Sequence, residues 1–244
     1  MKILSWNIRG LGHSAKRHAV KDVTSRHLPA ILALSETKLL APTLSQIRQV
    51  WGRPCQWVAL PALGALGGIW VIWNPSEHSL VSSHLGEFSV SLFLSHISDD
   101  LHWKVSAIYG PCSPALHPRL CSELDLVASL PHHIWCLGGD FNITRWSSER
   151  NSNSSISQGM NDFSDFMSRQ ELLDVPLQGC RFTWSNHSPQ PSLSKLARFL
   201  FSVDWEETFP SSHAMALAKP LPTTTLFSLI PKPSAEAPNP FVLN

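Results

Sequence analysis

Asp140 and Asn142 stand in the run Cys-Leu-Gly-Gly-Asp-Phe-Asn, where an apolar stretch meets two glycines that let the backbone turn closely. If that stretch is a strand, an acid and an amide emerge together from its end, on one face. Alone the pair is weak evidence, because aspartate after glycine is often only a turn former. Two further strand ends strengthen it. Asn7 closes the run Lys-Ile-Leu-Ser-Trp-Asn, and Glu36 closes Ala-Ile-Leu-Ala-Leu-Ser-Glu. Ligands of layered α/β domains bind where buried strands emerge. A few carboxylates and amides suit a hard, hydrated divalent cation, Mg²⁺ or Mn²⁺, which keeps several waters and draws its other ligands from a substrate phosphate.

The elements that must position these groups alternate. Short apolar runs separated by polar helical stretches predict an α/β or α+β layered domain rather than a bundle or an all-β sandwich. Ser-Ala-Lys-Arg-His-Ala-Val-Lys-Asp-Val follows the first strand with helical spacing. From Gln56 to Tyr109 the chain turns β-branched and aromatic, with turn residues such as Asn74-Pro75, and predicts a mainly antiparallel region. A helix is expected over about 114–129. Another, over Met160–Leu173, carries Met160, Phe163, Phe166 and Met167 on a core-facing stripe.

Composition bounds the rest. The 244 residues, 43% hydrophobic, are enough for one globular unit with a full core. Nineteen Lys and Arg against 18 Asp and Glu give a net charge of +1, which removes the simplest argument for a nucleic-acid binder but leaves room for a local basic face. The five cysteines form no CxxC pair and indicate neither a zinc site nor a disulfide framework, so a reducing compartment, nuclear or cytoplasmic, is expected. No signal peptide or membrane-spanning run is read, and no protein partner is indicated. Seven of the 19 prolines lie from Pro210 onward, and a poorly ordered tail is expected over 221–244.

Five short motifs, Ser-Trp-Asn-Ile-Arg-Gly, Leu-Ser-Glu-Thr-Lys, Ile-Tyr-Gly-Pro, Gly-Gly-Asp-Phe-Asn and Phe-Thr-Trp-Ser-Asn, resemble in order and spacing those of the endonuclease/exonuclease/phosphatase superfamily. The nearest likeness is to the endonuclease domain of plant LINE-type retrotransposons, over residues 1–220. The resemblance implies a two-sheet α/β sandwich of the DNase I-like type that cuts DNA phosphodiester bonds with Mg²⁺. By the same resemblance Glu36 holds the metal with Asn7 beside it, and Tyr109, the single tyrosine of the chain, donates to the phosphate. Asp140 orients or deprotonates water, Asn142 holds Asp140 or the phosphate, and Trp184 and Asn186 line the DNA-facing rim. For Trp184 a core position is an equal reading.

The chain departs from the family pattern at its end. Where the pattern has Leu-Asp-Arg, this chain reads Leu196-Ala197-Arg198, so the acid that supports the catalytic histidine is missing. A Ser-Asp-His motif should follow the Leu-Ala-Lys-Pro-Leu segment, and Pro-Thr-Thr-Thr stands there instead. His213 precedes that position and has no acid beside it, and the paired His132 and His133 start a strand. Codon degeneracy permits an origin: Leu-Pro-Thr-Thr-Thr-Leu-Phe-Ser-Leu-Ile can be encoded so that a shifted frame reads Ser-Asp-His-Tyr-Pro-Ile-Phe-Leu-Asp. A small insertion or deletion near Leu221 would then have put 222–244 out of frame, and the final strand of the fold is expected to be missing. Impaired hydrolysis follows, with a catalytically inactive remnant, at most binding metal or nucleic acid, as the alternative.

Overall fold

The computed structural model describes residues 1–64, 66–152, 155–186, 188–217 and 226–231. In chain order the elements are β1 (Ile3–Asn7), α1 (Ser14–His27), β2 (Ile31–Ser35), α2 (Leu44–Val50), β3 (Gln56–Leu63), β4 (Leu66–Trp73), β5 (His78–Leu85), β6 (Ser89–His96), β7 (His102–Tyr109), α3 (His117–Ser129) and β8 (Trp135–Asp140). They continue with α4 (Gln158–Arg169), β9 (Leu173–Asp174), β10 (Leu177–Gln178), β11 (Trp184–Ser185), β12 (Leu193–Ser194), β13 (Ala197–Phe201), α5 (Val203–Thr208), β14 (His213–Ala216) and β15 (Leu226–Ile230).

Two mixed sheets carry the fold. One has seven strands in the order β10-β14-β15-β1-β2-β4-β3, the other six in the order β5-β6-β7-β8-β13-β9. The sequence over 56–109 is antiparallel throughout as expected, but it is divided: β3 and β4 end the first sheet, while β5, β6 and β7 start the second. The inner faces meet in one apolar layer, with Ile31, Val71 and Trp73 from the first sheet and Leu92, Trp103 and Phe199 from the second. Helices cover the outer faces. Val20, Val23, Ile47 and Trp51 pack on Trp6 and Trp70 of the first sheet; Leu120, Leu124, Phe163 and Phe166 pack on Leu137 and Leu200 of the second. Central strands are therefore buried on both sides, which is why Ile-Trp-Val-Ile-Trp and Trp-Cys-Leu are continuous apolar runs rather than alternating ones.

Local chemistry fixes the helices. Thr43 and Gln46 form a reciprocal capping box at the start of α2, and Ser157 caps α4, whose Met160, Phe163, Phe166 and Met167 are buried as the spacing predicts. The C-terminal end of α3 is tied to the sheet by Lys104. Its buried Nζ donates to the carbonyls of Val127 (2.8 Å), Ala128 (3.2 Å) and Leu130 (3.1 Å), and burial brings its pKa down to about 8.

The expected loss of the last strand is corrected. Leu226–Ile230 forms β15, antiparallel to β1 on one side and to β14 on the other, and Leu226, Phe227, Ser228 and Leu229 are all buried. The prolines that suggested a strand-free tail, Pro222 and Pro231, fall outside this five-residue window, and a strand buried on both faces shows no alternation. The rest of the expected tail, 221–225 and 232–244, lies outside the described residues, as do 218–220. Phe227 packs edge-on against Phe199 of the opposite sheet, with ring centroids 5.0 Å apart. Phe227→Ala is expected to lower unfolding stability by about 3–5 kcal/mol, read as a reduced urea midpoint; an unchanged midpoint would show that this segment does not belong to the core.

Candidate active site

Four strands deliver polar groups to one end of the sandwich. Asn7 is the last residue of β1, Glu36 follows the last residue of β2, Tyr109 ends β7 and Asp140 ends β8. Parallel pairing sets them level: Asn7 lies opposite Ser35, and Tyr109 opposite Asp140. The two sheets are then bridged by a buried hydrogen bond from Asn7 Nδ2 to Asp140 Oδ2 at 2.9 Å. The other Asp140 oxygen accepts the backbone N–H of Asn142 at 3.2 Å, and Asn142 Nδ2 donates to the Gly110 carbonyl at 2.7 Å, which ties the loop after β8 to the end of β7. The Asn7 side-chain oxygen, Oδ1, accepts the backbone N–H of Arg9 at 3.2 Å.

Gly138 and Gly139 are strand residues of β8 rather than a turn, correcting the sequence reading. A Cβ on the first would run into the Phe199 ring and one on the second into the backbone of Ile108, so both permit close packing. Backbone strain does gather around the site. Arg9, Glu36, Lys38 and Asn142 have φ of 50°, 55°, 58° and 55°, half of the eight non-glycine residues with positive φ among the described residues.

The electrostatics follow from burial. Asp140 has its pKa raised by desolvation, with the Glu36 charge adding to the effect and the hydrogen bonds from Asn7 and Asn142 opposing it. Tyr109 is held as a neutral phenol, pushed up by burial and then by the charge of Glu36. Basic groups that sequence reasoning missed surround the acids: Lys38 pairs with Glu36 at 3.3 Å, and Lys16 donates to the carbonyls of Ile8 (3.1 Å) and Arg9 (2.7 Å). Burial and the charges of Lys38 and Arg9 lower the Lys16 pKa. The signal of Arg9 and Lys38 was present in Asn-Ile-Arg-Gly and Glu-Thr-Lys, hidden by a near-zero total charge.

Residues 4–218 match the family model described as the endonuclease/exonuclease/phosphatase family. The chain belongs to the endonuclease/exonuclease/phosphatase family. Among solved structures it is similar to the 3′ phosphatase NExo from Neisseria bound to a product DNA hairpin, at 17% identity and TM-score 0.73, covering 95% of this chain and 99% of that one. It is similar also to the endonuclease domain of TRAS1, a telomere-specific non-LTR retrotransposon, at 11% identity and TM-score 0.70, covering 95% and 98%. A third is the AP endonuclease LMAP from Leishmania major, at 15% identity and TM-score 0.68, covering 95% and 88%. No curated protein sequence matches. These likenesses give the DNase I-like fold.

Within this family frame the remaining expected residues separate. Thr183, in the Phe-Thr-Trp-Ser-Asn motif, is a clasp: its buried hydroxyl accepts the N–H groups of Leu196 (2.8 Å) and Ala197 (2.9 Å). That carries half-buried Trp184 across the end of β13, where Ala197 pairs with Asp140. Asn186 is exposed, and its carbonyl oxygen is engaged by the N–H groups of Ser188 (3.3 Å) and Ser192 (3.0 Å), so it shapes its own loop. Ala197 itself is buried. Next to it, Arg198 points into a separate ionic cluster with Glu149 (2.8 Å) and Asp174 (2.7 Å) that anchors β13. His213 is far from the centre: it pairs with Ile230, while Leu226 at the opposite end of β15 pairs with Trp6 beside Asn7. His132 and His133 precede β8, at the end opposite Asp140.

The fold binds the Asp140 proton more tightly than the unfolded chain does. Stability is therefore lost as pH rises from the ordinary aspartate value, about 4, through the folded one. Asp140→Asn is expected to raise the melting temperature of the metal-free protein at pH 7 by about 2–4 °C, with the gap closing toward pH 4. A lower melting temperature for the variant at pH 7 would contradict this electrostatic account.

Proposed function

We propose that the chain is a divalent-metal-dependent phosphodiester hydrolase that nicks DNA, working in this copy at a severely reduced rate. The observation that carries it is the convergence of Asn7, Glu36, Tyr109, Asp140 and Asn142 at one end of the sandwich, around the Asn7 to Asp140 bond. The donor set fits Mg²⁺ or Mn²⁺. Glu36 and Asn7 offer hard oxygens, and Asp140 adds a carboxylate whose pKa burial and Glu36 raise, so a dication there relieves the repulsion. Among the described residues no group of three or more His, Cys, Asp or Glu stands together. When bound, the metal supplies charge neutralisation on the phosphate oxygens.

The protein groups have separable tasks. Tyr109, kept neutral by its surroundings, donates its hydroxyl hydrogen to a phosphate oxygen. Asp140, with its raised pKa, accepts a proton from the attacking water, and Asn7 and Asn142 fix its two oxygens so that the free lone pairs face the substrate. Arg9, Lys16 and Lys38 supply a local positive field for an anionic strand despite the net charge of +1. Trp184 is assigned to the rim on the β13 side, with Asn186 shaping the loop next to it. Impairment follows from Ala197 and from Pro222-Thr223-Thr224 at the position of Ser-Asp-His. A positioned acid or base contributes about 10²–10⁴ in rate, and linked groups fail together.

The likeness to retrotransposon endonuclease domains supports a transposon origin, for which we favour the plant LINE lineage and a frame change near Leu221. The nucleotide sequence of the locus tests it: an alternative frame there must read Ser-Asp-His, and none would refute it. The same two departures, Ala197 and the missing histidine, favour as second reading an inactive remnant that binds metal or nucleic acid. Supercoiled plasmid incubated with Mg²⁺ separates the two. Slow nicking that vanishes on chelation and in Asp140→Asn is expected; no nicking above that variant at any enzyme concentration assigns the chain to the remnant class.

A further inference from the structure

His78, the first residue of β5, is fully buried, and neither of its ring nitrogens has a hydrogen-bond partner among the described residues. A neutral imidazole carries one donor and one acceptor, and buried polar groups of folded proteins are nearly always satisfied. The reaction centre does not account for it. His78 pairs with His96 at the far end of β6, whereas Ser89 at the near end pairs with Ile108, next to Tyr109. The extended chain from Ser89 to His96 spans roughly 24 Å.

The cross-strand partner supplies an explanation. Residues paired across antiparallel strands project to one face of the sheet, and the ring centres of His78 and His96 lie 5.0 Å apart with their planes inclined at 44°. Two imidazoles that share one tetrahedral ion, each through a nitrogen at ~2.1 Å, have ring centres roughly 5 Å apart. His96 is prepared for that role. Its Nδ1 lies 2.8 Å from the Asp99 carboxylate and 3.1 Å from the Ser98 hydroxyl. A carboxylate only accepts, so the proton sits on Nδ1 and the Nε2 lone pair is left as a ligand.

The pair is held in place from both strands. The His78 N–H donates to the Asn74 carbonyl at 3.2 Å, closing a turn in which Asn74 Nδ2 donates to Glu77 Oε1 at 2.7 Å. The Ile97 N–H donates to the Glu77 carbonyl at 3.0 Å and ties that turn to the end of β6. Trp103 packs edge-on against His78, with ring centres 5.3 Å apart, and its indole offers no acceptor. The His96 side chain is 30% exposed, so an ion and its waters reach the pair from solvent.

We propose that His78 and His96 form a site for a borderline divalent cation of the Zn²⁺ class, with Asp99 orienting His96 from behind. Imidazole nitrogens suit such an ion and not Mg²⁺, so the site is chemically distinct from the carboxylate and amide groups around Asp140 and independent of the hydrolase reading. Among the described residues no third His, Cys, Asp or Glu joins the pair, and water completes the coordination. The consequence is mechanical. β5 is an edge strand of the second sheet and exposes Leu80, Val81 and Leu85, and an ion clasping its first residue to β6 staples that edge.

Isothermal titration calorimetry of the full chain with Zn²⁺, in excess Mg²⁺, tests it. The wild type is expected to bind Zn²⁺ at this pair, and His96→Gln to weaken that binding about tenfold or more. Asp99→Asn is expected to weaken it about tenfold as well, a loss that mere packing of His96 on His78 would not produce, because Asp99 is 59% exposed and acts on the ion through His96. His102→Gln, which removes a ring of the stacked His102–His132 pair on the other face of the sheet, leaves the affinity unchanged. His78→Phe keeps an aromatic ring in the apolar setting and abolishes binding; should it fail to fold, the two variants on the exposed side decide. No Zn²⁺ binding by the folded wild type, or an affinity unchanged in His96→Gln, would overturn the proposal.

Discussion

A single hydrogen bond between two sheets, from the Asn7 amide to the Asp140 carboxylate, is the constraint on which the arrangement depends. It joins the end of β1 to the end of β8, and every polar group of the site is attached to one of those strands by register or by one further bond. Burying an ionisable carboxylate between sheets is costly unless its oxygens are satisfied, and the fold satisfies them only partly, with one amide and one backbone N–H. On the proposed function the remaining demand is met by a cation and a water, the chemical content of a phosphodiesterase half-site. The same partial satisfaction raises the Asp140 pKa, so the tension in the apo fold and the capacity to accept a proton have one cause.

The other half of a competent site would come from β13 and from the chain entering β15. Both strands are in place. Ala197 pairs with Asp140, and Leu226 pairs with Trp6 beside Asn7. The strands persist because their stability comes from Phe199, Phe201, Phe227 and Leu229 in the layer between the sheets, none of which takes part in chemistry. Under the proposed function core and site are uncoupled: the absence of an acid at Ala197 costs no packing, and the five-residue run Leu226–Ile230 is enough to close the sheet. An intact fold and a depleted reaction centre are therefore compatible in one chain.

Much of this was legible in the sequence, for identifiable reasons. Asn7 and Asp140 announce themselves as polar residues closing apolar strands, with Glu36 one step beyond, whereas Tyr109 came only through the family resemblance; the stripe of α4 is a clear helical period. The strand β15 was hidden because it is short, flanked by prolines and buried on both faces, which erases alternation. The doubling of glycines in β8 was misread because only the neighbouring strand and Phe199 explain it, and neither is local. Lys16, Lys38 and Thr183 were missed for a related reason: each acts through backbone groups brought close by the fold, a role that residue type alone does not mark.

The account is tested most directly by restoring what the reaction centre lacks. Plasmid nicking rates in Mg²⁺ are compared between the present chain and one carrying Ala197→Asp, Pro222→Ser, Thr223→Asp and Thr224→His. The account predicts a gain of about 10² or more, abolished by adding Asp140→Asn. A restored chain that stays folded and nicks no faster than the present one would contradict the claim that an intact metal half-site awaits only its acid and histidine.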